Sequence, residues 1–281
     1  MLNETVQRTY IYNGHGHALS GHITRPFDHQ IEVQAGMSLP TTGGVGHSRV
    51  ERFRFQEYVS FTAGYTYVAG SKSGQDTYTT LVTAAVENLN ILDVVTADRV
   101  VARLASHHSL DEGNRHKPDE KKGHKPNKEK RHKLDEEEPH ITLLGSKIEN
   151  LKISGCPVHL EFDDDLFLRL DTFDKLKKEF DGNAGFRKMA ADPFVTTQPR
   201  VPVDPRGVFL CSLVKEMKID CPGVKSVGHA FEVPEFGRVY IGEVLAQYRK
   251  RTVTMLRFDL GCPLVGGVTT AQVVGNGHPL P

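Results

Sequence analysis

The chain has 281 residues, and its 35 Lys plus Arg balance 35 Asp plus Glu. That neutrality gives no global electrostatic pull toward nucleic acid or an anionic membrane. No apolar run reaches the ~18 residues that cross a bilayer, so no transmembrane segment is expected.

Residues 1–8 lack the apolar core of a secretory signal. The expected location is therefore cytoplasmic, or extracellular if the chain is a processed form. The four cysteines do not choose between the two.

Residues 9–33 read as strand, with Tyr10, Ile11 and Tyr12 followed by a Gly/His-rich segment and then Ile31 and Val33 among polar residues. Pro40 and Gly43-Gly44 make residues 37–46 a loop. Phe53, Phe55, Phe61, Tyr65 and Tyr67 fall at odd positions, which suits aromatics on one face of pleated strands. Residues 70–74 read as a turn. Residues 79–92 and 94–105, rich in Val, Thr and Ala, read as two further strands; in the second, Val94, Thr96, Val100, Ala102 and Leu104 share one parity.

One short phrase is written twice. Val86-Glu-Asn-Leu-Asn-Ile91 and Ile148-Glu-Asn-Leu-Lys-Ile153 match at four of six positions. They read as two related β-segments in one sheet, with a long excursion between them. After Gly155-Cys156-Pro157 and residue 162 the period changes. Residues 171–174 resemble an N-cap with an acid three positions on, Phe173, Leu176 and Phe180 share one helical face, and Gly182 is a plausible stop. A further helical turn over 186–191 leads into a Pro-rich connection. Residues 208–219 and 238–260 return to strand, the latter as a hairpin around Arg249-Lys250-Arg251. Residues 275–281 read as turn chemistry.

The expected fold is a single, mainly β domain over 1–281, of sandwich or jelly-roll-like architecture. It carries one small helical module near 171–191, a helical and Pro-rich connection over 171–205, and an inserted low-complexity His/charged loop over 107–140. In that insert His108, His116, His124, His132 and His140 fall at every eighth residue. Residues 109–140 hold nine acidic and nine basic side chains, so the segment is a neutral polyampholyte with almost nothing to bury, and disorder is its default. Protonation of these five octad histidines below about pH 6.5 would make the insert positive and draw it to an anionic surface.

Candidate metal ligands are His15 and His17, because a His-x-His pair on a strand points both rings to one face, and His116, His124 and His132 as weak transition-metal binders. His22 has the opposite parity and faces away unless Gly21 forms a bulge. Cys211 and Cys221, about 33 Å apart on a straight strand, cannot pair with each other and read as buried small hydrophobes. Asp163, Asp164 and Asp165 form an acidic cluster without the spacing of a calcium loop. No catalytic or cofactor-binding motif is present, so no catalytic residue and no cofactor site is assigned.

Residues 85–105 and 146–155 resemble segments of bacterial β-rich proteins of the "choice-of-anchor" kind, with an apolar Val-x-x-Leu-x-Ile strand, an Ala/Val strand, and then Ser-x-Ile-x-x-Leu-x-Ile-x-Gly. The resemblance covers about a fifth of the chain. It implies an exported β-body without an assigned activity, although neither signal nor anchor is visible here. The expected function is a non-catalytic β-scaffold with a structural, surface or binding role. The alternatives are a metal-dependent β-sandwich or jelly-roll enzyme using His15 and His17, and a subunit that assembles with copies or a protein partner through edge strands.

Overall fold

The computed structural model describes residues 10–74, 77–109, 138–190 and 207–279. In chain order the strands are β1 (Tyr10–Arg25), β2 (His29–Gln34), β3 (Met37–Ser38), β4 (Gly44–Phe55), β5 (Val59–Ser73), β6 (Thr77–Ile91), β7 (Val95–Ser109), β8 (His140–Thr142), β9 (Lys147–Glu149), β10 (Lys152–Ile153) and β11 (Cys156–Phe162). Helices α1 (Leu166–Arg169), α2 (Phe173–Gly182) and α3 (Ala184–Ala190) follow. The remaining strands are β12 (Val208–Ser212), β13 (Val214–Ile219), β14 (Lys225–Val227), β15 (Ala230–Val233), β16 (Gly237–Gln247), β17 (Lys250–Leu260) and β18 (Val265–Pro279).

They form two antiparallel nine-stranded sheets. The first runs β14-β15-β16-β17-β18-β1-β2, with β12 on β16 and β3 on β1. The second runs β13-β11-β10-β7-β6-β5-β4, with β8 and β9 on β7. The sheets face each other through β1, β17 and β18 over β5, β6 and β7, and the expected sandwich is the observed fold. Their approach is close at Gly14, where an added Cβ would lie 2.8 Å from a Val82 methyl and 3.0 Å from that of Thr80.

The twin phrases flank β7 in the same register. Val86 and Ile148 both stand opposite Val100, Glu87 and Glu149 opposite Arg99, Asn90 and Lys152 opposite Thr96, and Ile91 and Ile153 opposite Val95. The third residue of each phrase explains its spacing. Asn88 and Asn150 have φ of 51° and 52°, and this left-handed residue shifts the side-chain parity of the strand. Val86, Leu89 and Ile91 can then all be buried although the first two are three positions apart. Asparagine tolerates that conformation better than other side chains with a Cβ. It is also held in place: Asn88 donates to Thr62 Oγ1 (2.9 Å) and Asn150 to Asp98 Oδ2 (2.7 Å). Asn88→Val should therefore cost at least ~1 kcal/mol in a denaturant melt, whereas Asn88→Gly should be close to neutral apart from the lost hydrogen bond.

Parity shifts of this kind cross both sheets as transverse rows. In the second sheet the row passes through Arg52, Thr62, Asn88 and Asp98, where regular pairing is interrupted. In the first it passes through Ala18, Ala271, Met255 and Gly242. The aromatics of odd number are divided accordingly. Phe53, Phe55 and Phe61 pack against or within the core, while Tyr67 is exposed. In β7 it is Val95 and Ala97, not Val94 and Thr96, that join Val100, Ala102 and Leu104 inside.

Helix α2 is capped by Thr172, whose hydroxyl accepts from Lys175 N, and ends with Gly182 as its last residue. Phe173 and Leu176 are buried, and Phe180 stacks on Phe209 of β12 at 4.7 Å, so the stripe closes one end of the sandwich. Other local expectations change. Residues 37–46 include β3 and the start of β4, and residues 70–73 of the turn expected over 70–74 belong to β5. Residues 275–279 are strand rather than turn, and Gly275 is packed closely against Leu104 of the other sheet. The insert is also shorter than 107–140, since β7 continues to Ser109, β8 begins at His140, and His107 pairs with His140. His108 is buried and His140 bonds Asp171 Oδ2 at 2.6 Å, so two of the five octad histidines belong to the body. His116, His124 and His132, and with them the expected disorder of the loop and most of the Pro-rich connection, lie outside the described residues.

The cysteines divide as two and two. Cys211 is buried and Cys262 exposed, while Cys156 and Cys221 form a disulfide with Cα atoms 5.8 Å apart. Cys211 and Cys221 do not pair with each other, as strand geometry required. Reading Cys221 as a buried free thiol is corrected, because β11 and β13 pair antiparallel and bring its loop beside Cys156.

Candidate functional site

The outer face of the first sheet carries a polar surface that continues across four strands. Its rows are set by register: His17, Gln272, Thr254 and Glu243 are cross-strand neighbours, as are Ser20, Thr269, Arg257 and Tyr240. The two rows lie on opposite sides of the transverse parity shift, which is why residues of unlike parity share one face. The shift at Ala18 also brings His22 onto the face with His15 and His17, correcting the expectation that it turns away. His22 bonds Asp28 Oδ1 at 2.5 Å.

At the β16–β17 end the face is built around a fixed carboxylate. Glu243, with a side chain only 7 % exposed, accepts from Arg257 Nε (2.7 Å) and Nη2 (2.8 Å), and its Oε1 lies 3.2 Å from His229 Nε2. Arg257 Nη1 bonds both oxygens of Asp259 at 3.0 Å, and the guanidinium lies 3.5 Å from the centroid of the Tyr240 ring. Burial alone would raise the Glu243 carboxyl, but the hydrogen bonds from Arg257 and His229 outweigh it and hold the group below the ordinary carboxylate range. Burial likewise opposes the Arg257 charge, and Glu243 and Asp259 more than restore it. His229 is the buried partner of this carboxylate.

At the β1 end the chemistry is milder. Ser20 Oγ lies 2.9 Å from His17 Nε2 and 3.0 Å from Thr269 Oγ1, and Gln272 donates to Thr254 Oγ1 at 2.8 Å. A shallow depression of about 340 Å³ lined by Ser20, His22, Gln30, Arg257, Asp259 and Thr269 lies between the two ends. Burial, and then the neighbouring His15, push His17 down to about 4. A base that weak is poorly matched to accepting the Ser20 proton near neutral pH.

That shift carries a stability consequence. Folded His17 titrates below the unfolded value of about 6.5, so the folded state binds fewer protons, and stability falls as pH drops from about 6.5 toward 4. His17→Gln should flatten that part of the stability–pH curve, measured by denaturant midpoints over the same interval.

His15 and His17 do share a face, as their spacing required. Burial and then Lys250 lower His15. Among the described residues, no group of three or more His, Cys, Asp or Glu side chains is placed to hold a metal ion. Asp163 and Asp165 serve α1 instead: Asp163 Oδ1 accepts from Leu166 N, and Asp165 is the residue before the helix. No helix among the described residues is long and apolar enough to cross a membrane.

Residues 10–117 and 129–247 match the model of one protein family, described as a domain of unknown function (DUF8256). The match leaves out residues 118–128, in the middle of the insert. No curated protein and no solved structure matches the chain.

Proposed function

The chain belongs to the DUF8256 family, and we propose that it is a non-catalytic β-scaffold whose two-sheet body carries the charged insert as an appended binding segment. The observation that carries this reading is the closure of the insert's roots. Ser109 pairs with Thr77 and His107 with His140, so the body continues across the base of the excursion. The family match, which skips residues 118–128 within the insert, supports the same division. Residues 110–137 contain nine basic and eight acidic side chains together with His116, His124 and His132. Acid would make that segment clearly positive and draw it to an anionic surface. The likeness to exported choice-of-anchor proteins and the internal disulfide both favour a location outside the reducing cytosol.

The test compares the full chain with one in which a Gly/Ser linker replaces residues 110–137. Both are sedimented with vesicles of about three parts phosphatidylcholine to one part phosphatidylserine, at about pH 5.5 and about pH 7.5. The full chain should bind only at the lower pH and the shortened chain at neither. Equal binding of the two would sink the proposal.

The second reading is a metal-dependent enzyme on His15 and His17, favoured by their common face beside Ser20. Zinc, iron or copper present in stoichiometric amount in protein purified without a histidine tag, and lost in His15→Ala/His17→Ala, would establish it. Assembly through edge strands is the third. Lys215 and Lys218 on β13, Lys225 on β14, and Arg49 and Arg54 on β4 place charge on the outermost strands, which opposes open-ended pairing. Light scattering across a concentration series would reveal assembly as a rising mass.

A further inference from the structure

On either side of the insert, strand register sets one histidine directly against another. His107 of β7 pairs with His140 of β8. Their neighbours Ser106, His108 and Ile141 are buried, whereas His107 is exposed and His140 half-buried, so both imidazoles stand on the outer face of the second sheet. Directly opposed side chains of an antiparallel pair have Cβ atoms about 4.5–5.5 Å apart. That is close enough for two imidazole nitrogens to meet on one ion, each at about 2.0–2.1 Å.

One of the two rings is already oriented. His140 Nδ1 lies 2.6 Å from Asp171 Oδ2, and Lys175 Nζ donates to the other carboxylate oxygen at 2.8 Å. Burial alone would raise the Asp171 carboxyl, but the hydrogen bonds from Lys175 and His140 outweigh it and hold the group below the ordinary carboxylate range. The tautomer that donates Nδ1–H to this carboxylate leaves the Nε2 lone pair for a metal. A carboxylate bonded to the other nitrogen of the ring is the usual outer support of a metal-ligating histidine. Without a metal, the opposed rings would only repel each other once both are protonated.

We propose that His107 and His140 form a two-histidine site for a borderline divalent cation of the zinc or copper(II) class, with Asp171 orienting His140 and water completing the coordination shell. Imidazole nitrogen selects this class over magnesium and calcium, which take oxygen ligands. Two protein ligands are fewer than the groups of three that are absent among the described residues, so the expected affinity is modest. The nearby charges are Asp171, which favours a cation, and Lys175, which opposes one and is paired with Asp171. A bound ion would join β7 to β8 and hold the two roots of the insert together. This inference depends neither on what the insert binds nor on His15 and His17.

The test is a zinc titration of the full chain carrying H116N, H124N and H132N, followed through the imidazole resonances. Those of His107 and His140 should move together with one common dissociation constant. Adding H107A should weaken that binding at least about tenfold, and adding H140A should do the same. His107 is exposed, so H107A removes no buried contact and decides the question should H140A fail to fold. At about one hundred times the dissociation constant, zinc should shift the folding equilibrium about a hundredfold toward the native state, a shift lost with H107A. Zinc that moves only other histidines, that moves His107 without His140, or that binds equally well with H107A would overturn the proposal.

Discussion

Glu243→Ala should lower stability by about 3–5 kcal/mol, because it removes the anion from a buried cluster and leaves Arg257 and His229 facing each other without it. Arg257 would keep Asp259, but that carboxylate is 46 % exposed and cannot replace a partner that is 7 % exposed. For a chain of this size the loss corresponds to a fall in Tm of about 10 °C. Glu243→Gln keeps shape and hydrogen-bonding capacity while removing charge, so it should lose less. Because folded Glu243 titrates below its unfolded value, its contribution is complete above about pH 4.3 and is lost as pH falls through the folded value. The Gln variant should therefore show a shallower acid limb in a stability–pH series. An alanine variant within 1 kcal/mol of the parent would show that the cluster does not stabilise this sheet.

The second large effect is expected from the disulfide. Cys156 and Cys221 are separated by 65 residues, and closing a loop of that length in the unfolded chain is worth about 4 kcal/mol in the chain-entropy account. The enclosed segment contains α1, α2 and α3, joined to the sheets by connections rather than by long ladders. Its tether to the body therefore matters more than the length alone implies. Cys156→Ser or full reduction should lower stability by about 2–5 kcal/mol. Thiol counting provides the companion check. Alkylation should label Cys262 alone in the native protein, Cys211 as well after denaturation, and all four cysteines only after reduction. Four reactive thiols in denatured, unreduced protein would remove the bond from the account.

Much of the body was legible because its signals are local. The β-branched runs, the helical stripe of Phe173, Leu176 and Phe180, and the repeated phrase each declare themselves within a dozen residues. What escaped depends on contacts distant in sequence. The parity shifts at Thr62 and Ala18 carry no residue signature, so the first divided the odd-numbered aromatics and the second moved His22 to another face without warning. A local trace did exist at Asn88 and Asn150. An Asn repeated within a phrase whose apolar residues are three apart marks a left-handed residue in a strand.

The candidate site was half visible. His15 and His17 announced their common face by spacing, and Ser20 joined them only through the parity shift. Glu243, Arg257 and His229 lay in stretches that read as ordinary strand and loop, and only the pairing of β16 with β17 shows that their charges meet. Arg251 was misplaced for a related reason. A run of three basic residues looks solvated, yet the strand begins at Lys250, and alternation then turns Arg251 inward beneath α2.

The arrangement of the two phrases about β7 is tested most directly by methyl–methyl nuclear Overhauser contacts in selectively labelled protein. Val100 should show contacts to both Val86 and Ile148, and Val95 to both Ile91 and Ile153. Contacts to one phrase alone, or to partners displaced by one residue, would contradict the account, since a single-residue slip turns Arg99 into the interior.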